Sequence, residues 1–220
     1  LQGVFAYLKA SGLGAVAVRE AARRAGAPAI DQIIMGCVLT AGQGQAPARQ
    51  AGIGAGLGEQ VPATTINKMC GSGMQAAILA HDMLAAGSAD WVAAGGMESM
   101  TNAPYLLARH RRGARFGHDS AKDSMLLDGL EDAYETGKPM GAFAEETARS
   151  YQIGRAAQDE YALRSLERAR AAQASGAFDT EIVPVLAGNE TILIDEQRGR
   201  AQPEEVPFVK PAFAADDTIT

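Results

Sequence analysis

The chain is expected to be an α/β protein, a mainly parallel sheet covered by helices with a second, mostly helical region after it. Three observations predict this. Apolar, strand-like runs at Ile33–Leu39, Thr64–Met69 and Trp91–Ala94 alternate with stretches of helical periodicity, the pattern of right-handed crossovers between parallel strands. Hydrophobic residues make up 47% of the 220 positions while aromatics are only 5%, so a sizeable core must be built largely from Ala and Gly, which suits close helix–sheet packing. Beyond Pro104 the alternation gives way to long polar helices and a hairpin.

In chain order, Leu13 to Arg24 carries apolar residues at helical spacing with Arg23 and Arg24 in its last turn and Gly26 beyond, an amphipathic helix with its stop signal. Ile33 to Leu39 has no polar side chain, as expected of a strand covered on both faces, and Cys37 within it is expected to be buried. Pro47 suits the first turn of a helix running to about Leu57. Thr64, Thr65 and Ile66 are β-branched and follow Pro62, a short strand entered from a loop. Met74, Ala77, Ile78 and Leu84 then form a helical apolar stripe that stops at Gly87. Trp91 to Ala94 is the next strand, ended by Gly95-Gly96, which serve either a turn or a close backbone approach at a site. The charged, aperiodic Arg109–Lys122 reads as a surface excursion. Helices follow at about Phe143–Tyr151 and Ala156–Ala174, and Ile182–Leu186 with Thr191–Ile194 reads as a hairpin around Gly188-Asn189.

Charge and cysteine usage narrow the function. Twenty-six acidic against twenty basic residues give a net charge of −6, which argues against a nucleic-acid partner. No apolar run approaches the roughly 18 residues of a membrane span. Two distant cysteines and no signal-like start suggest a reducing cytoplasm. No metal-ligand spacing occurs, and no metal is expected.

The chemistry concentrates where strand changes to helix, at Cys70. Its sulfur is placed beside a helix N-terminus, where unpaired N–H groups and the helix dipole favour negative charge, with Gly71 and Gly73 expected to permit the sharp turn. His81 lies about three helical turns further on and cannot serve as its base. His110 and His118 fall in the polar excursion and read as surface residues.

The decapeptide Asn67-Lys68-Met69-Cys70-Gly71-Ser72-Gly73-Met74-Gln75-Ala76 resembles the nucleophile segment of the thiolases, acyltransferases that make or cleave 3-ketoacyl-CoA. Ile34–Leu39, Gly44–Gln50, Ala94–Tyr105, Asp128-Gly129-Leu130, Met140-Gly141 with Ala144-Glu145, Gln158-Asp159-Glu160, Glu181–Val185 and Lys210–Phe213 are similar to further stretches of the same family, so the resemblance runs along essentially the whole chain. It implies the layered thiolase fold with an inserted loop domain: residues 1–103 as the N-terminal core with its first strand missing, 104–220 as the CoA-binding loop domain, and a C-terminal domain lying outside this chain. It implies Cys70 as the acylated nucleophile, with its own backbone N–H as an oxyanion donor, and Leu130, Met140, Ala212 and Phe213 as side chains lining the pantetheine channel. CoA and acyl-CoA enter as substrates and no separate cofactor is implied.

The resemblance also implies a homodimer or homotetramer, the latter through the Arg109–Lys122 excursion. Pro139 stands where short-chain biosynthetic members place His, so an acetoacetyl-CoA preference is not carried over, and the basic turn that many relatives place near the adenine is replaced by Leu186-Ala187-Gly188-Asn189-Glu190. The family's C-terminal acid–base motifs do not occur in these residues, so no turnover is expected of them alone. Two other functions compete: a ketoacyl synthase, which shares the elbow cysteine, and a catalytically inactive thiolase-like module that binds CoA or lipid.

Overall fold

Three parallel strands form the sheet at the centre of the first half of the chain, in the order β2-β1-β3. In the computed structural model, which describes residues 2–113, 115–196 and 202–220, these are β1 (Gln32–Gly36), β2 (Ala63–Ile66) and β3 (Val92–Gly96). Ile33 pairs with Ala63 on one side and Ala93 on the other, so β1 is the middle strand, and residues 33–36 of β1 are buried, as its wholly apolar run requires. The helices α1 (Ala10–Arg24), α2 (Pro47–Ala55) and α3 (Ser72–Ala85) supply the crossovers.

This core is assembled by close approach rather than by bulk. Ala48, Ala51 and Ala55 of α2 are buried with Ala10 and Val18 of α1 and with Ile33, Met35 and Cys37 from β1 and the residue after it. A β-carbon added at Gly54 would lie 3.0 Å from Ala15 Cβ, so α1 and α2 touch almost backbone to backbone. At α3 the expected stripe is turned outward. Met74 is 73% exposed and Ile78 and Leu84 nearly half, while Ser72, Ala76 and Ala80 are the buried residues. The reason is spacing: glycines at the strand ends bring α3 so near the sheet that only small side chains fit beneath it.

Two strand expectations shorten. β1 ends at Gly36, and the next residues form a loop because the Glu98 carboxylate, rather than a neighbouring strand, accepts the amides of Val38 (2.8 Å) and Leu39 (3.1 Å). Trp91 precedes β3 instead of opening it; its amide, with that of Asp90, donates to the Asp31 carboxylate.

The charged excursion is closed at its base by the pair β4 (Tyr105–Leu106) and β5 (Lys122–Asp123), and the 3-10 turn His110–Arg112 lies within it. A π-helical turn, Leu126–Leu130, follows. Then come α4 (Met140–Ser150), α5 (Arg155–Ala174), the hairpin β6 (Val185–Ala187) with β7 (Glu190–Ile192), and a 3-10 turn at Pro203–Phe208. The hairpin turn uses Gly188 in the left-handed region, φ 64°. By its contacts the chain divides into two compact units, Leu1–Gly129 with Val185–Ile192, and Leu130–Pro184 with Leu193–Thr220, whereas the sequence pattern changes earlier, after Pro104.

Candidate active site

In the first unit, Cys70 is exposed and stands between the end of β2 and Ser72, the first residue of α3. Three interactions build the elbow that presents it. The Ser72 hydroxyl accepts the Lys68 amide at 2.9 Å and donates to the Met69 carbonyl at 2.6 Å, and its side chain is buried. The Asn67 side-chain oxygen accepts the Met69 amide at 3.0 Å. The Gly71 amide donates to the Lys68 carbonyl at 3.1 Å, closing the turn, and Lys68 Nζ reaches Gln75 on the first turns of α3 at 2.8 Å.

The glycines do not make the turn in the way the sequence suggests. The residue in the left-handed region is Met69, at φ 49°, a conformation that costs a side-chain-bearing residue about 1–2 kcal/mol. Gly71 has ordinary dihedrals, φ −86° and ψ 5°. The Asn67 and Ser72 hydrogen bonds grip the Met69 amide and carbonyl and so hold it in place. Glycine instead serves the approach of helix to sheet. A β-carbon on Gly36 would lie 2.6 Å from Ser72 Cβ and 2.8 Å from the Gly73 nitrogen, and one on Gly96 would lie 3.4 Å from Gly73 Cα. Gly36, Gly73 and Gly96 thus let the N-terminus of α3 rest on the C-terminal ends of β1 and β3. Of the pair Gly95-Gly96, it is Gly96 whose backbone closely approaches α3; Gly95 has only ordinary contact with the Met35 side chain.

Cys37 has the opposite surroundings. It is 1% exposed, with Sγ 3.4 Å from Glu98 Oε1 and 3.3 Å from Gln43 Nε2. Burial, and after it the nearby Glu98 charge, pushes the thiol up to about 11, against an ordinary value of 9.0. The expected burial of Cys37 is therefore found. The histidines lie where the sequence places them: His81 is exposed beside Asp82, and His110 Nδ1 sits 3.1 Å from Asp119 in the excursion. Among the described residues, no group of three or more His, Cys, Asp or Glu could hold a metal ion, and no helix is long and apolar enough to cross a membrane.

The four expected pantetheine-lining residues fall at or near α4 in the second unit. Met140 is the first residue of α4 and 46% exposed. A backbone bridge between Glu131 and Pro139 brings the chain at Leu130, which is half-buried, alongside it. Phe213 is 44% exposed, and its ring lies so directly over Gly141 that no β-carbon could stand there. Ala212 is exposed and its amide donates to the Ile219 carbonyl at 3.0 Å. The Phe213 ring therefore lies against Gly141 at the start of α4 although the two are far apart in sequence. Sequence reasoning gave no structural part to Asn67, Ser72, Glu98 or Glu145; all four act through backbone amides or carbonyls, which leave no periodic signal.

A parallel sheet packed with helices, with an exposed cysteine at one strand-to-helix elbow, places the chain in the class of α/β proteins. Comparison identifies the member of that class. The family model for the thiolase N-terminal domain matches residues 1–220. Acetyl-CoA acetyltransferase of Schizosaccharomyces pombe is 42% identical and that of Cupriavidus necator 46%, each over 99% of this chain and 57% of the relative. A thiolase from Ascaris suum, solved in complex with coenzyme A, superposes with a TM-score of 0.92 at 38% identity, over all of this chain and 57% of that one. The chain belongs to the thiolase family and has its fold; it spans little more than half the length of these relatives.

Proposed function

We propose that the chain carries the nucleophile and the CoA-binding surface of a thiolase-type acyltransferase. In thiolysis, the Cys70 thiolate attacks the 3-keto carbon of a 3-ketoacyl-CoA. The bond between C2 and C3 breaks, the electron pair stays on C2, and protonation releases acetyl-CoA. The thiolate of a second CoA then attacks the acyl-cysteine, and the C–S bond to Cys70 breaks to give the shortened acyl-CoA. The reverse sequence is Claisen condensation. Sulfur suits both halves, because a thiolate attacks thioesters and ketones readily and leaves readily. Met140, Phe213, Ala212 and Leu130 would hold pantetheine by apolar contact, with Gly141 providing the space that Phe213 needs. The protein is proposed to act as a homodimer or homotetramer.

The observation that carries this reading is the exposure of Cys70 on a hydrogen-bonded elbow at the start of α3, in a chain whose relatives are named acetyl-CoA acetyltransferases. The test is thiolysis of acetoacetyl-CoA and longer 3-ketoacyl-CoA by the intact source protein. Cys70→Ala should abolish turnover while leaving CoA binding within a few-fold, and Cys37→Ala should retain it. Turnover by Cys70→Ala at the wild-type rate would refute the reading; CoA binding without turnover by wild type would support the inactive binding module instead.

A further inference from the structure

Glu145 is the most deeply buried carboxylate among the described residues, at 3% exposure, and the reaction above makes no use of it. It sits on α4 one turn beyond Gly141, so both residues lie on one helix face, with Ala148, also buried, a turn further on. That face receives the segment 212–219. Glu145 Oε2 accepts the amides of Thr218 (2.8 Å) and Ile219 (3.0 Å) and the Thr218 hydroxyl (3.1 Å). Gln158 of α5 donates to the same hydroxyl at 2.8 Å. Arg149 bridges the carboxylate, Nε to Oε1 at 3.4 Å, and Asp217, at 2.6 Å. Ile219, held at its amide by Glu145, uses its carbonyl to hold the Ala212 amide, and the next residue, Phe213, lies over Gly141.

We propose that Glu145 is a positioning residue for the CoA surface, clamping segment 212–219 to α4 so that Ala212 and Phe213 are presented beside Met140. This rests on the CoA-binding reading above. A buried carboxylate suits the task because it accepts several backbone amides at once, and amide-to-carboxylate hydrogen bonds are among the strong ones. The Thr218 amide foremost, with that of Ile219, holds the Glu145 carboxyl below the usual carboxylate range despite burial. The anion is therefore the form that grips the segment at neutral pH. A surface preordered in this way binds its ligand without the cost of ordering Phe213 at that moment.

The test uses the intact source protein as wild type, Glu145→Gln and Glu145→Ala, with three readouts. Amide hydrogen exchange at Thr218 and Ile219 reads the clamp, CoA titration reads the surface, and the Cys70 alkylation rate checks that the first unit is folded. Glu145→Ala should speed exchange at both amides and weaken CoA by about tenfold, raising KM for CoA while kcat at saturation falls less than about threefold. Glu145→Gln, which keeps one amide acceptor, should fall between alanine and wild type in both readouts. Unchanged exchange in Glu145→Ala would show that the carboxylate does not hold the segment. Faster exchange with wild-type CoA affinity would show that the clamp does not position the surface. Wild type that fails to bind CoA would overturn the functional reading and the CoA half of this inference, and the exchange data would then report on the clamp alone.

Discussion

Each of the two compact units is stabilised internally, and by different means. In the first, Ile33, Met35 and Cys37 are almost fully buried among alanines, and glycines set the distance between helix and sheet. In the second, Ala148 is the only hydrophobic residue among the described ones to be buried, α5 buries none of its residues, and the buried anchor is the carboxylate of Glu145. Packing in the first unit makes a rigid platform for one sulfur. In the second, the hydrogen bonds of Glu145 tie segment 212–219 to α4, and Met140 and Phe213 stay partly exposed.

The largest expected effect breaks the platform. Gly36→Ala places a β-carbon against the Ser72 and Gly73 backbone and should destabilise by about 3 kcal/mol in urea unfolding, whereas Gly12→Ala, with nothing within 4 Å, should stabilise α1 by up to about 1 kcal/mol. Equal effects of the two substitutions would show that the close approach at Gly36 is not needed.

Next in size is the buried thiol. Because the Cys37 proton is held more tightly in the folded chain, its contribution is complete below about pH 9, declines as pH rises, and is gone above about 11. Wild type should therefore lose stability more steeply than Cys37→Ala across that window. Parallel pH profiles for the two proteins would contradict the burial argument.

A smaller effect is expected at the elbow. Met69→Gly removes the left-handed penalty but frees the unfolded chain, so stability should stay within about 1 kcal/mol of wild type. A loss well beyond that would mean that the Met69 side chain, 47% exposed, contributes packing that its contacts do not suggest.

The same contrast explains what the sequence made legible. β1, α1 and α2 were readable because the first unit's core follows period and apolarity, and Cys37 was placed correctly by the run that surrounds it. α3 was readable as a helix but not in its orientation, since Met74 and Ile78 outweigh Ala76 and Ala80 on any hydrophobicity count while spacing reverses the choice. The sharp turn points to Gly71 and Gly73 because glycine turns most freely, whereas the local side chains of Asn67 and Ser72, two and three residues away, hold the left-handed conformation on Met69. Glu145 was invisible as an anchor, because its partners at Thr218 and Ile219 lie more than 70 residues away and engage through their backbones. Around Cys70, the motif indicated the residue, and the structure shows the local hydrogen bonds that present it.

The central claim is that the exposed cysteine of the elbow, and not the buried one, receives the acyl group. It is tested most directly by incubating the intact source protein with acetyl-CoA, quenching in acid and mapping the peptides by mass spectrometry. The account predicts one acetyl group on the peptide containing Cys70, none on that containing Cys37, and none anywhere in Cys70→Ala. An acetyl group on Cys37, or acetylation that persists in Cys70→Ala, would contradict it.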